Sequence, residues 1–127
     1  MISSSVYTRV VGRLEADARD IFKHAISAVS PGRLVARAID EGALGDTDPQ
    51  GESVILACGK GAVSMASYVV SAGGLNRSRG LVTAPHSTKA DAALGGLEFM
   101  NSAHPIPDEA SEAAASKARE LARSAAA

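Results

Sequence analysis

A lysine between two glycines is the stretch of this sequence with the clearest chemical potential. Gly59-Lys60-Gly61 follows the apolar run Val54 to Cys58, whose length and composition are typical of a buried strand. From Ala62 onward the apolar residues recur with the period of a helix. Strand, glycine turn and helix begin a βαβ unit, and in parallel sheets ligands bind at the carboxyl ends of the strands. The first N–H groups of the helix and the lysine ammonium would attract a phosphate or a carboxylate there.

The turn completes neither of the common nucleotide-binding motifs. A Walker A loop needs Ser or Thr after its lysine, and Gly61 stands there. The dinucleotide motif G-x-G-x-x-G is half present, because Ser64 replaces its last glycine. The acid that should follow the second strand is also missing, since Ala84-Pro85-His86 occupies that place. On these residues alone, NAD binding and a solvated turn lysine both stay open as alternatives.

A second stretch with chemical potential is His104-Pro105-Ile106-Pro107-Asp108. Its two prolines restrict the backbone between a predicted strand and a predicted helix, for which Asp108 is a good N-cap. His104 would then lie at the carboxyl end of its strand, on the same sheet edge as Lys60 if the strands are parallel. A histidine there could exchange a proton or donate a hydrogen bond to an anion. The alternative is a rigid loop whose histidine bonds only to backbone.

The elements that must position these residues alternate in type along the chain. Periodicity predicts helices over 15–29 and 31–39, strands over 54–58, 80–84 and 97–100, and a last helix over 109–127 whose apolar face includes Ala113, Leu121 and Ala125. Ser30 and Pro31 suit the start of the second helix, and Gly73-Gly74 suits a helix stop. Residues 1–14 are expected to be a frayed end, with a transit peptide as the alternative. The order of elements predicts an α/β, Rossmann-like layered fold with a mainly parallel sheet.

The number of strands and the composition limit what this domain could be. Three strands are few for such a sheet, so we expect either a fragment of a larger two-domain protein or a small domain that completes its sheet as a homodimer. A formal net charge of −1 argues against nucleic-acid and membrane binding, and no apolar run approaches the roughly 20 residues of a membrane span. Cys58 is the single cysteine, which fits a reducing, cytoplasmic location. No carboxylate is an obvious metal ligand.

Taken together, the two motifs resemble the N-terminal part of the glycerate 2-kinases that carry a C-terminal MOFRL domain, some of which are labelled hydroxypyruvate reductases. The resemblance runs from Ala18–Ala25 through Gly59–Ala66 to Ala103–Ala110. It implies ATP as phosphate donor, Mg²⁺ as metal ion, and transfer of phosphate to the 2-hydroxyl of glycerate.

The same resemblance implies roles for individual residues. Lys60 matches the family's active-site lysine, and its ammonium would pair with an oxygen of glycerate or of the transferring phosphate. We expect Gly59, Gly61, Ser64 and His104 to contribute to substrate binding. The catalytic base is not identified by the sequence, and His104 is a candidate only.

The sequence also departs from the family pattern. Members usually have Gly-Ala-Gly-Lys-Ala, where this chain has Ala57-Cys58-Gly59-Lys60-Gly61. The family's Ser-Gly-Gly-Gly-Ser-Ala segment and its MOFRL-type domain are absent from residues 1–127. We therefore expect the N-terminal part of a glycerate kinase-like domain that is inactive alone. An NAD(P)-dependent hydroxypyruvate reductase and a non-catalytic anion-binding module are the alternatives.

Overall fold

The elements of the protein follow the predicted order. A computed structural model describes residues 4–43, 51–72 and 77–125. These residues form four helices and three strands. In chain order they are α1 (Ser4–Ala28), α2 (Pro31–Asp40), β1 (Ser53–Cys58), α3 (Ala62–Ser71), β2 (Ser78–Pro85), β3 (Glu98–Ser102) and α4 (Glu109–Ala125). A short 3₁₀ helix, Ala92–Leu94, lies between β2 and β3. The predicted Gly73-Gly74 helix stop falls outside the described residues.

The start of the first helix differs from the prediction. The frayed end expected over residues 1–14 is wrong from Ser4 onward, because α1 begins there. No proline interrupts residues 4–28, and the single interior glycine, Gly12, costs a helix only about 1 kcal/mol. The helical period of residues 15–29 therefore extends backward by three turns. The apolar stripe of α1 remains open to solvent, with Ile21 71% and Phe22 65% exposed.

The three strands form one parallel sheet in the order β1-β2-β3. Cys58 at the end of β1 is opposite Thr83 of β2, and Pro85 at the end of β2 is opposite Ser102 at the end of β3. The predicted α/β layered fold and the parallel pairing of the first two strands are confirmed. Because all strands run the same way, their carboxyl ends meet at one edge of the sheet, which is where α/β folds bind ligands.

The sheet lies between two helices. On one face, Ala62 and Ala66 of α3 are buried in a cluster with Val82 of β2, and Leu94 and Leu97 close the cluster. Burying these apolar side chains is the main favourable contribution to folding.

The opposite face of the sheet is covered by α4. Residues of a strand alternate between faces, so Arg79 and Leu81 face away from Val82. Arg79 donates to Ser124 at 3.0 Å, which places α4 on that side. The buried residue of α4 is Ala114, whereas the predicted Ala113 is exposed.

A glycine allows the two strands that carry the site to come together. Gly80 of β2 lies opposite Ile55 of β1, and a Cβ at that position would overlap the Ile55 carbonyl group. The close approach fixes the register of β1 against β2, and the register sets where the turn after β1 lies relative to the end of β2. Among the described residues, no helix is both long enough and apolar enough to cross a membrane.

Candidate functional site

The turn Gly59–Gly61, hereafter the glycine turn, projects from the end of β1. Gly59 has φ of +103°, a region that glycine adopts without the clash that a Cβ would cause. Its N–H donates to the Thr83 carbonyl at 2.9 Å, and its carbonyl accepts from the Ala62 N–H at 3.1 Å. The first bond continues the sheet and the second starts α3. Lys60 at the tip is exposed and has no ion-pair partner among the described residues, so its ammonium is available to a ligand.

Two helices begin beside this turn and touch each other. Pro31 is the first residue of α2, and Gly61 is the N-cap of α3. A Cβ on Gly61 would lie only 3.1 Å from Cγ of Pro31. One turn further along α3, a Cβ on Gly32 would lie 3.2 Å from Oγ of Ser64. The N-termini of α2 and α3 are therefore in van der Waals contact, with Lys60 adjacent to both.

Neither of these helix starts is capped by a side chain. Ser30 occupies the N-cap position of α2 as predicted, but its side chain makes no cap hydrogen bond, and Gly61 has no side chain to offer. The first N–H groups of a helix have no partner within the helix, and each N-terminus carries about half a positive charge. Two such ends and a lysine at one point make an environment that stabilises an anion such as a phosphate or a carboxylate.

His104 lies where the sequence placed it. It follows β3 after Ala103, at the same edge of the sheet as the glycine turn, and is exposed. Its ring makes no hydrogen bond with a described residue. The position is as predicted, and its role in substrate binding stays a prediction, as do the roles of Gly59, Lys60, Gly61 and Ser64.

A histidine that the sequence did not single out is held more firmly. His86 directly follows β2, and its Nε2 lies 2.9 Å from Oδ2 of Asp108. Oδ1 of Asp108 accepts from the Ser111 N–H and the Ser111 hydroxyl, each at 2.9 Å, and from the Ala103 N–H at 3.3 Å. The Ser111 N–H bond confirms Asp108 as the N-cap of α4. The Asp108 carboxylate thus fixes the start of α4 and the His86 ring together.

These bonds also keep the Asp108 carboxyl ionised. The hydrogen bond from His86, followed by those from Ser111, holds the pKa of Asp108 well below its usual range. The sequence does contain a signal for His86, because a polar residue directly after a parallel strand lies at the edge of the sheet where ligands bind. The partner could not be found that way, because Asp108 is 22 positions away along the chain.

The described residues offer little to a metal ion. No group of three or more His, Cys, Asp or Glu side chains in these parts of the chain could hold one. Mg²⁺ is usually held by one or two carboxylates together with substrate phosphates. The only carboxylate placed at the described site is that of Asp108, and both of its oxygens already accept hydrogen bonds. The donor set therefore does not fit a Mg²⁺ site.

Comparison with known proteins decides the family. The family model described as "Domain of unknown function (DUF4147)" matches residues 17–127. The chain belongs to this family. The DUF4147 match includes the glycine turn and the stretch from His104 to Asp108, the two motifs on which the resemblance to glycerate kinases depends. A search of curated proteins finds no match.

One solved structure connects this DUF4147 chain to an enzyme. The chain is similar to a glycerate kinase from Thermotoga maritima, with a TM-score of 0.61 and 26% sequence identity. The match covers 78% of this chain and 22% of that one, so the chain spans less than a quarter of the length of the enzyme it matches. The predicted resemblance to the N-terminal part of the glycerate kinases is confirmed by these two findings.

Proposed function

We propose that this chain forms the anion-binding wall of a glycerate 2-kinase, which transfers phosphate from ATP to the 2-hydroxyl of glycerate. The observation that carries the proposal is the meeting of two uncapped helix starts with Lys60 at the ligand edge of the sheet. The similarity to the Thermotoga maritima glycerate kinase supports the choice of reaction.

The chemistry of phosphoryl transfer suits such a wall. Catalysis of this reaction depends mostly on positioning the reactants and neutralising charge on the phosphoryl oxygens. Lys60 supplies a full positive charge on a flexible stem, which can follow an oxygen of glycerate or of the transferring phosphate. Gly59 leaves open space in which backbone N–H groups of the turn can approach the same anion, and the missing Cβ of Gly61 lets the start of α2 pack beside it. The Ser64 hydroxyl, in the first turn of α3, offers one further hydrogen bond.

The reactants divide between this chain and the rest of such an enzyme. The geometry described here is suited to an anion, and both the carboxylate of glycerate and the phosphates of ATP are anions. The matched kinase contains much more chain than this one covers. We expect the remaining groups of the reaction, including those that hold Mg²⁺ with the nucleotide, to come from such additional parts. Accordingly, the 127-residue chain should not turn over ATP and glycerate alone.

Separate calorimetric titrations of the chain with ATP, glycerate and NADH test the proposal. We expect binding of glycerate or ATP that Lys60→Ala weakens at least tenfold, since it removes a charge-assisted contact. Lys89→Ala is the matched control, because Lys89 is another exposed lysine, in the loop after β2.

The same titrations separate the alternatives. Binding of NADH without glycerate or ATP would favour the reductase. Two added titrations, with sulfate and with phosphate, test the other alternative, because binding of both as tight as that of glycerate would favour a non-catalytic anion-binding module. If no ligand binds, or if Lys60→Ala behaves like Lys89→Ala, the kinase proposal is wrong.

A further inference from the structure

We propose that His86 binds the hydroxyl group of the substrate and accepts its proton during transfer, and that Asp108 is the residue that positions the ring. The inference rests on the proposed function and adds a residue to it. The sequence indicates only His104 for such a role, and no residue in the described parts of the chain bonds to the His104 ring to orient it.

The contact with Asp108 fixes which ring nitrogen is free. An ionised carboxylate can only accept hydrogen bonds, so the proton between the two residues belongs to Nε2 of His86. The lowered pKa of Asp108 keeps that carboxylate ionised at neutral pH. In a neutral ring the other nitrogen, Nδ1, then carries a lone pair. No described residue is bonded to Nδ1, so it is available to a hydroxyl group.

The register of β1 and β2 places His86 at the same edge of the sheet as the glycine turn. Cys58 and Thr83 are paired, and the Gly59 N–H bonds to the Thr83 carbonyl. Lys60 therefore lies two residues beyond a paired position on β1, and His86 lies three residues beyond its partner on β2. Neighbouring strands are about 4.8 Å apart. The glycine turn and His86 consequently follow neighbouring strands at one edge of the sheet.

A purely structural role explains the His86–Asp108 pair less well. The side chains of His86 and Asp108 are 56% and 40% exposed, and ion pairs so open to water contribute little to stability. Capping of α4 needs only Oδ1 of Asp108, which is the oxygen bonded to Ser111. Oδ2 is left for the histidine alone. A histidine with one nitrogen anchored by a carboxylate and the other open is the usual arrangement of a general base.

The proposed step balances in atoms and charge. The hydroxyl oxygen of the substrate forms a bond to the terminal phosphorus of a nucleoside triphosphate, and its proton passes to Nδ1 of His86. The bond from that phosphorus to the bridging oxygen breaks, and its electron pair leaves with the diphosphate. The His86 imidazolium so formed is stabilised by the Asp108 carboxylate and returns its proton to water. Lys60 meanwhile faces the negative charge of the acid or of the phosphoryl oxygens.

Ring NMR of the 127-residue chain tests the first part of the inference without any substrate. Long-range proton–nitrogen correlation spectra report which ring nitrogen of each histidine is protonated. In the neutral ring of the wild type we expect His86 to carry its proton on Nε2. Asp108→Asn keeps a good N-cap, but its amide can either accept a hydrogen bond from Nε2 of His86 or donate one to it. The variant should therefore show a mixture of both His86 tautomers. A proton on Nδ1 of wild-type His86 would overturn the inference.

Paired ligands test the second part. Glycerate and 3-hydroxypropanoate differ only in the 2-hydroxyl group. We expect the wild type to bind glycerate about tenfold more tightly, the value of one good hydrogen bond, and His86→Ala to bind both alike. Lys89→Ala, which changes an exposed residue of the same loop, is the matched control and should keep the wild-type preference. Melting curves check that each variant is folded, which we expect because the substituted side chains are exposed.

The outcomes separate this inference from the function on which it rests. If wild type binds glycerate but shows no preference, or if His86→Ala keeps the preference, the inference is wrong and the proposed function stands. If wild type binds no glycerate at all, the proposed function fails and the inference fails with it.

Discussion

Replacing Gly80 by alanine should break the pairing that aligns the candidate site. Gly80 faces Ile55 in the parallel register of β1 and β2. An added Cβ would overlap the Ile55 carbonyl oxygen and lie 2.8 Å from its carbonyl carbon and 2.9 Å from its backbone nitrogen. These neighbours are backbone atoms and cannot rotate away as the end of a side chain could.

The size of the effect follows from the movement required. Ordinary contact with a Cβ begins at 3.4 Å, so the carbonyl carbon alone would require β1 to move by about 0.6 Å, and the overlapping oxygen would require more. Hydrogen bonds near 2.9 Å lengthened by that amount fall outside the range of good geometry. Losing two or three ladder bonds at about 1 kcal/mol each, and disturbing the packing over Val82, should cost on the order of 3 to 5 kcal/mol. Since domains are stable by about 5 to 15 kcal/mol, the variant should be largely unfolded or close to it.

Urea and thermal unfolding, followed by circular dichroism, measure this effect. Gly12→Ala is the matched control, because Gly12 lies inside α1 and a Cβ there would meet nothing within 4 Å. That change should be neutral or stabilise the chain by about 0.5 to 1 kcal/mol. If Gly80→Ala unfolds at the same urea concentration as wild type, β1 and β2 do not pair in this register and the alignment of the site with His86 is wrong.

Three further predictions concern the candidate site. In an active enzyme containing this chain, Lys60→Ala should lower kcat by a factor of about 10² to 10³ and leave the melting temperature unchanged. Lys60→Arg should restore only part of the lost rate. Steady-state kinetics and melting curves on the same preparations check both results. Gly59→Ala should cost about 1 to 2 kcal/mol in urea unfolding because its φ of +103° is unfavourable for a residue with a Cβ, and a cost near zero would contradict the turn geometry. Because folding lowers the pKa of Asp108, its ionised form stabilises the chain fully above the ordinary pKa of 3.8 and progressively less below it. Urea unfolding curves of wild type and Asp108→Asn should therefore converge as the pH falls below 3.8. A difference in stability that stays constant with pH would refute the hydrogen bonds assigned to the Asp108 carboxylate.

The order of helices and strands could be predicted because each has a clear period or a clear boundary. The strand before the glycine turn and the helix after it differ in period, and Asp108 marks the start of α4. The rotation of α4 could not be predicted in the same way. Ala113, Ala114 and Ala115 are identical in type, so the sequence carries no contrast to show that Ala114 is the buried one.

The site was predictable only in part, for a physical reason. Gly59, Lys60 and Gly61 are contiguous, so local geometry was enough to place them. The contact between Pro31 and Gly61 depends on how two helices pack, and the bond between His86 and Asp108 depends on strand register. Neither of these two contacts can be predicted from the spacing of residues along the chain, although both affect the electrostatics at the ligand edge of the sheet.

The proposed function depends on one anion site formed by the glycine turn and the starts of α2 and α3. Backbone amide NMR of the chain, titrated with glycerate and separately with ATP, tests it most directly. We expect the Gly32 and Arg33 signals of α2 and the Gly61 to Ser64 signals of α3 to shift together with one dissociation constant, and Lys60→Ala to weaken all of these shifts in parallel. Shifts confined to one of the two helices, or shifts that survive Lys60→Ala unchanged, would contradict it.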